Sequence, residues 1–170
     1  MRLFVAAQFN EDILKELLKL QEYWYTLGMR GHFAPLPNLH LTLAFIGEYK
    51  DQDFVAETLE TVKFSPFPLK LDGIGNFNDL YYAGILKNDE MSNLVKRVRR
   101  ALADNNIPYD RKRFSPHITL IRNALFDGKP ENLTQRPPKG EMIADSFTLM
   151  SSTRGKNGMI YTPIESFGNS

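Results

Sequence analysis

Hydrophobic and polar positions along the chain follow two periods, and each period predicts its own kind of element. Apolar residues recur at helical spacing between Asn10 and Gly28, over 51–63 and over 90–105, which predicts three amphipathic helices. Asn10 is followed by two acidic residues, as is typical of a helix start. Shorter apolar and β-branched runs predict strands at 3–9, 39–46, 67–71, 80–86, 118–121, 146–152 and 159–164. Strands interspersed with helices favour an α+β fold.

Glycine, proline and asparagine mark the predicted interruptions. Loops are expected at 30–37 and at 126–140. The glycine-containing segment 73–76 is expected to break the extended stretch that begins at 67, and Gly47 and Asn123 to end the strands before them. The segment 153–158 finishes in Asn-Gly, which predicts a hairpin between the last two strands.

One four-residue phrase occurs twice in the chain. Residues 40–43 read His-Leu-Thr-Leu, and residues 117–120 read His-Ile-Thr-Leu. Because side chains alternate along a strand, the His and the Thr of each copy share one face, and the two aliphatic residues point into a core from the other. Each copy therefore predicts an imidazole and a hydroxyl held side by side on a rigid support.

The composition limits the classes of protein to which the chain can belong. It has 170 residues, enough for one domain with a substantial core, and 42% of them are hydrophobic and 24% charged. The net charge of +1 provides no general attraction for nucleic acid, so any such contact must be local. The absence of cysteine excludes a disulfide scaffold and Cys-ligated zinc. The apolar start is too short for a signal peptide and no stretch matches a membrane span, so a cytoplasmic protein is expected.

Two facing His–Thr pairs can carry out acid–base chemistry. One neutral and one protonated imidazole can act as general base and general acid, and two hydroxyls between them can donate hydrogen bonds to the oxygens of a phosphate. A single His-x-Thr match is weak evidence, because short patterns recur by chance and an isolated His on a strand is commonly structural. Two copies in the same hydrophobic context, in a chain with three His, favour a phosphate site that needs no metal.

The two copies resemble the motifs of the 2H phosphoesterase superfamily. Residues 38–47 (NLHLTLAFIG) and 114–122 (FSPHITLIR) are similar to its bacterial and archaeal branch, the RNA 2′,3′-cyclic phosphodiesterases historically called 2′–5′ RNA ligases. The layout agrees along nearly the whole chain, while the specific likeness lies in these two segments. The resemblance implies a two-lobed, pseudo-symmetric α+β fold, with antiparallel sheets flanked by helices around a central groove and residues 1–170 forming one domain.

The same resemblance implies an activity and roles for the motif residues. The expected reaction is hydrolysis of RNA 2′,3′-cyclic phosphodiester ends to 2′-phosphomonoesters, without a metal or other cofactor. His40 would be the proton donor and His117 the proton acceptor, although the residues alone do not order the two. Thr42 and Thr119 would hold the non-bridging oxygens. The expected partner is RNA or a nucleotide with a cyclic phosphate end, bound by a monomer away from any membrane.

Three further residues are candidate substrate contacts. Phe45 and Arg122 each lie five positions after a motif His, as in the family, and both offer a flat surface to a nucleobase. Strict alternation places the fifth position on the face opposite the His, so this hypothesis requires each strand to bend, and the alternative places Phe45 in the core. Arg30, in the predicted loop 30–37, is a candidate contact to phosphate or RNA.

Other interpretations of the same residues remain open. The reverse reaction, 2′–5′ RNA ligation, would use the same four motif residues, and a non-catalytic nucleotide- or RNA-binding module would keep the fold. A metal site is disfavoured, because two His without a matched acidic ligand make a poor one. Basic residues at 96, 97, 99 and 100 can bind an RNA backbone, but the solvated side of a helix is the favoured interpretation. Trp24 has the spacing of a core residue.

Overall fold

The computed structural model describes residues 1–168, which form nine strands and three α-helices. The strands are β1 (Arg2–Ala7), β2 (Arg30–Phe33), β3 (Leu41–Glu48), β4 (Phe67–Phe77), β5 (Leu80–Ile85), β6 (His117–Leu125), β7 (Glu141–Ala144), β8 (Ser146–Gly155) and β9 (Gly158–Gly168). The helices are α1 (Glu11–Thr26), α2 (Gln52–Glu60) and α3 (Asp89–Asp104), and 3₁₀ turns cover Leu36–Asn38 and Pro130–Thr134.

The two motifs lie in different sheets. β3 is an edge strand of a four-stranded sheet with the order β3-β1-β8-β9, and β6 lies inside a five-stranded sheet with the order β2-β6-β5-β4-β7. Neighbouring strands are antiparallel in both sheets. This is the α+β arrangement that the sequence pattern predicts, with the two lobes that the family resemblance implies, and each lobe contributes one His–Thr pair.

Each helix begins directly after a capping residue, as predicted for Asn10. Asn10, Asp51 and Asn88 each accept a hydrogen bond from the backbone N–H three residues later, at 2.9–3.0 Å. Acidic side chains follow in the first turn of all three helices, where they favour the positive end of the helix dipole. The three helix predictions are confirmed, although α2 ends earlier than expected.

The helices cover one face of each sheet and share a single apolar core with both. Trp24 on α1 is fully buried, lies edge-to-face on Tyr81 of the five-stranded sheet, and donates its indole N–H to the Leu133 carbonyl at 3.2 Å. The apolar residues of α3 predicted to face inward are all buried: Met91, Leu94, Val95, Val98 and Leu102. The opposite faces of the sheets are left for the motif side chains.

The expected loop at 30–37 begins instead with a strand. β2 pairs with β6, with His32 opposite Arg122 and Phe33 opposite Ile121. Gly31 permits the close approach, since a Cβ there would lie 2.8 Å from the Asn123 carbonyl oxygen. Three of the four β2 residues are exposed, so no apolar alternation was present to predict this edge strand.

Two other interruptions were also placed wrongly. β4 runs unbroken from Phe67 to Phe77, because Gly73, at φ +70°, absorbs a register shift between residues 71 and 74 as a bulge. Asn123 takes φ +53° within β6 without ending it, and the strand continues to Leu125.

The predicted loop 126–140 contains a 3₁₀ turn. The predicted hairpin is present as β8 and β9, which are longer than expected.

Gly84 is the glycine whose replacement has the clearest expected cost. It pairs with His117, and a Cβ at this position would lie 2.2 Å from the carbonyl oxygen of Asp72 in the bulge of β4. Because the obstacle is backbone, relief requires the two strands to move apart. We expect Gly84→Ala to lower the free energy of unfolding by about 1–3 kcal/mol, measured by urea denaturation. An unchanged unfolding midpoint would contradict this packing.

Candidate active site

His40 lies immediately before β3, with its imidazole enclosed by aromatic side chains. The ring centroids of Phe4 and Tyr161 lie 4.9 Å and 5.3 Å from that of His40. The His40 Nδ1–H donates to the Asn38 carbonyl at 2.7 Å, because a carbonyl oxygen can only accept. This bond leaves Nε2 as the reactive nitrogen, and the Thr42 hydroxyl lies 2.9 Å from it.

His117 begins β6 and is held in the same way. Its Nδ1–H donates to the carbonyl of Ser115, two residues earlier, at 2.6 Å. Phe77 and Tyr82 flank the ring at centroid distances of 5.4 Å and 5.2 Å. Both imidazoles therefore have Nδ1 occupied by a carbonyl two residues upstream, which fixes their tautomer and leaves Nε2 as the nitrogen that can take or give a proton.

A matching β-bulge in each motif strand resolves the difficulty with the fifth position. Ala6 pairs with Thr42 and Val5 with Ala44, so Leu43 is the extra residue in β3. In β6 the extra residue is Leu120, because the register shifts at the same point of the motif. The extra residue and the one after it are buried in both strands, so the side chains that follow return to the face of the His.

Phe45 and Arg122 consequently lie on the same faces as their motif His. Phe45 belongs to a small cluster outside the main core, with Phe4, Ala6, Met150 and Tyr161. It is half-buried and packs on this smaller cluster, so one side of the ring contributes to a core while the rest stays accessible.

The backbone joins the two motifs directly. β2 pairs with β6, and the chain then runs through the 3₁₀ turn 36–38 to His40. The Asp110 N–H, shortly before the second motif, donates to the Phe45 carbonyl at 2.8 Å. Arg99 of α3 spans the same gap, with bonds to the carbonyls of Leu43 at 3.4 Å and Lys112 at 2.7 Å. The basic side of α3 is thus partly structural.

The electrostatic environment of His40 includes groups of the second motif strand. Burial of the ring lowers the pKa of His40 below its ordinary value, while the hydrogen bond to Asn38 opposes that shift. The positive charges of Arg122 and His117 lower the pKa further. Arg122 and His117 both lie on β6 of the other sheet, and the backbone bond from Asp110 to Phe45 ties that motif to β3, so the second motif is close enough to influence His40.

Replacing Arg122 should raise the pKa of His40. We expect a titration of His40 followed by NMR to give a value below 6.5 in the unmodified protein, and a higher one in Arg122→Ala because a nearby positive charge is gone. Arg100→Ala is the matched control, since Arg100 is exposed on α3 beside Asp104. Equal titration in all three proteins would contradict the proximity of Arg122 to His40.

Arg30 lies apart from this arrangement. Its guanidinium donates to the carbonyls of Tyr25 and Met29 at 3.0 Å and 2.9 Å, and lies 3.8 Å from the centre of the Tyr25 ring. These contacts complete the C-terminal end of α1. They favour a structural role for Arg30 over the expected contact with substrate.

The aromatic side chains around the two imidazoles were not predicted. Phe4 and Tyr161 lie on β1 and β9, and Phe77 and Tyr82 on β4 and β5, far from the motifs in sequence. Only strand register brings them to the His residues, and no local pattern distinguishes them from other strand aromatics.

Within residues 1–168, no group of three His, Asp or Glu side chains is placed to hold a metal ion, and no helix is long and apolar enough to span a membrane.

Comparison with known proteins agrees with the motifs. Residues 11–156 match the 2′-5′ RNA ligase superfamily. The chain is 30% identical to the RNA 2′,3′-cyclic phosphodiesterase of Thermotoga maritima, over 95% of this chain and 91% of that protein. It is also 30% identical to the protein of the same name from Methanocaldococcus jannaschii, over 97% and 99% of the two chains.

A solved structure shows the same architecture. Escherichia coli LigT, crystallised with 3′-AMP, superposes with a TM-score of 0.80 at 24% identity, covering 98% of this chain and 96% of LigT. This likeness concerns the fold, which it confirms over both lobes. The match over residues 11–156, and the 30% identity to relatives over almost the whole chain, show that the chain belongs to the 2′-5′ RNA ligase superfamily.

Proposed function

We propose that this protein hydrolyses RNA 2′,3′-cyclic phosphodiester ends to 2′-phosphomonoesters, with two histidines and no metal. The observation that carries the proposal is the pair of His–Thr sites on two different sheets, each with Nδ1 bonded to a carbonyl and Nε2 as the nitrogen that can exchange a proton. Relatives that match over almost the full chain are named RNA 2′,3′-cyclic phosphodiesterase, which favours hydrolysis over the reverse ligation and over a non-catalytic module.

The geometry suits an in-line displacement. Water attacks phosphorus opposite the departing O3′, so the base and the acid must stand on opposite sides of the phosphate. In the proposed sequence, His117 Nε2 takes a proton from water as the new P–O bond forms. His40 gives a proton to O3′ as the P–O3′ bond breaks. The product is a 2′-phosphomonoester, and the protons exchange with solvent.

The lowered pKa of His40 places a condition on its role as donor. In the free protein the imidazole favours the neutral form, in which Nε2 accepts from the Thr42 hydroxyl. A bound phosphate anion counteracts the positive charge of Arg122, and therefore raises the pKa of His40. Substrate binding itself thus promotes the protonation that the donor requires, and frees the Thr42 hydroxyl for a non-bridging oxygen, with Thr119 on the other side.

Phe45 and Arg122 complete the proposed site as surfaces for the terminal nucleobase. Both lie on motif faces after their bulges, and aromatic rings and guanidinium planes stack on bases. Arg30 receives no substrate contact in this proposal, because its guanidinium is engaged at the end of α1. A cytoplasmic location and a monomeric state stay predictions.

Product analysis tests the proposal. An RNA oligonucleotide ending in a 2′,3′-cyclic phosphate is incubated with the protein and EDTA, and the position of the resulting monoester is mapped. We expect a 2′-monoester, formed at the same rate with and without EDTA. An otherwise identical oligonucleotide ending in a 3′-monophosphate should remain unchanged. A 3′-monoester, turnover abolished by EDTA, or no turnover would contradict the proposal.

A further inference from the structure

Phe77 and Tyr82 form an aromatic pair beside His117. Their ring centroids lie 4.9 Å apart with an interplanar angle of 32°, and Phe77 meets His117 edge-to-face at 5.4 Å. Phe77 nevertheless keeps 47% of its surface exposed. Phe4, which flanks His40 at a similar distance, is only 4% exposed. The two imidazoles thus differ in one neighbour: Phe4 beside His40 is closed by packing, whereas Phe77 presents open ring surface beside His117.

The strand connection holds this pair in place. Gly75 lies opposite Tyr82, and a Cβ there would be 2.3 Å from the Tyr82 hydroxyl oxygen, so the glycine lets the tyrosine ring lie flat across β4. Asn78 takes φ +54° in the turn between β4 and β5, and its carbonyl accepts from the Asn76 side-chain amide at 3.0 Å. Phe77 is therefore presented by a defined turn on a rigid hairpin, with one side packed on Tyr82.

Strand register places the aromatic pair away from the surfaces assigned to the terminal base. Tyr81 pairs with Ile121, so Leu80 comes opposite Arg122, and Leu80 pairs in turn with Phe77. Phe77 thus lies two strands from Arg122 on the same face, a backbone separation of roughly 10 Å. Its contact with His117 keeps it next to the reacting phosphate, within reach of a neighbouring nucleotide.

We infer that Phe77, backed by Tyr82, stacks the nucleobase that precedes the terminal nucleotide of an RNA substrate. This subsite rests on the proposed function, and it distinguishes RNA ends from single nucleotides. The chain carries a net charge of only +1, so general attraction of the RNA backbone is weak and base stacking must supply much of the added affinity. Stacking on a ring is tolerant of sequence, because every base has a π-face.

A binding comparison tests the subsite without relying on turnover. The probes are a nucleoside 2′-phosphate and a trinucleotide ending in a 2′-phosphate, with 2-aminopurine as the penultimate base. We expect Phe77→Leu to weaken trinucleotide binding relative to mononucleotide binding by about tenfold, as loss of one stacked base does. The fluorescence of 2-aminopurine should be quenched by the unmodified protein and by Phe77→Trp, and not by Phe77→Leu.

The matched control is Ile143→Ala. Ile143 is an exposed apolar residue that pairs with Pro68, nine residues from Phe77 along β4 and so roughly 30 Å away. Its replacement should leave the ratio of the two affinities unchanged. Two results would overturn the subsite: a ratio of the two affinities that Phe77→Leu leaves unchanged, or no quenching of 2-aminopurine by the unmodified protein. Failure of the proposed function is separate, since it would appear as absent turnover of cyclic ends by the unmodified protein.

Discussion

Replacing either motif histidine by alanine is expected to lower kcat for a 2′,3′-cyclic phosphate substrate by roughly 10²–10⁴-fold, the usual contribution of a positioned acid or base. Each imidazole has its Nδ1 committed to a backbone carbonyl, so the remaining Nε2 is the only position from which it can move a proton. Steady-state kinetics on a cyclic mononucleotide measure the loss, and KM should change less than kcat because the chemical step is affected.

The third histidine provides the matched control. His32 lies on β2 opposite Arg122, with its Nε2 near Gly158 of the last hairpin, and belongs to neither motif. We expect His32→Ala to retain most of the activity that the motif variants lose. Small and equal losses in all three histidine variants would contradict two-histidine catalysis.

A sulfur-substituted substrate can order the two roles. If sulfur replaces the bridging O3′, the departing thiolate needs no proton, because thiols ionise near pH 8.5 and hydroxyls far above. We therefore expect this substrate to restore turnover to His40→Ala, where the proton donor is missing, and not to His117→Ala. Recovery of the His117 variant alone would reverse the assignment of donor and acceptor. Recovery of neither variant would mean that protonation of the leaving atom is not what either variant lacks.

Removing either threonine hydroxyl is expected to cost about a hundredfold in kcat, at the low end of the loss expected for a histidine. Thr42→Val and Thr119→Val keep the branched shape that a strand favours, so the change isolates the hydrogen bond. Thr42 already bonds to His40 Nε2 at 2.9 Å, so its hydroxyl is poised beside the site of proton transfer. Thr119 lies opposite Tyr82 on β5, on the face that carries His117.

The serine variants test whether the hydroxyl is responsible. Thr42→Ser and Thr119→Ser should recover most of the activity, because they restore a donor at the same position. Circular dichroism and the unfolding midpoint check that the valine variants keep the fold. Full activity in both valine variants would remove the threonines from oxyanion stabilisation.

Local sequence determined the parts of this protein that depend on near neighbours. The three helices follow from apolar spacing and from cap side chains that bond three residues away. The motif strands follow from their aliphatic residues, and the repeated His-x-Thr phrase is sufficient to indicate the candidate site. In each case the information lies within one turn or one strand.

Tertiary structure decided what depends on register between distant strands. The bulges at Leu43 and Leu120 turn Phe45 and Arg122 onto the motif faces, and a single strand read by itself, with strict alternation, predicts the opposite. β2 is extended because it forms backbone hydrogen bonds with β6, and its own exposed residues carry no strand pattern.

The surroundings of each histidine were decided in the same way. The rings of Tyr161 and Phe77 reach the motif imidazoles from β9 and β4. The lowered pKa of His40 has its causes in burial and in charges from the other sheet. The reason is physical: burial, strand register and charge act between residues far apart in sequence, and they exist only once the two sheets have packed on one core.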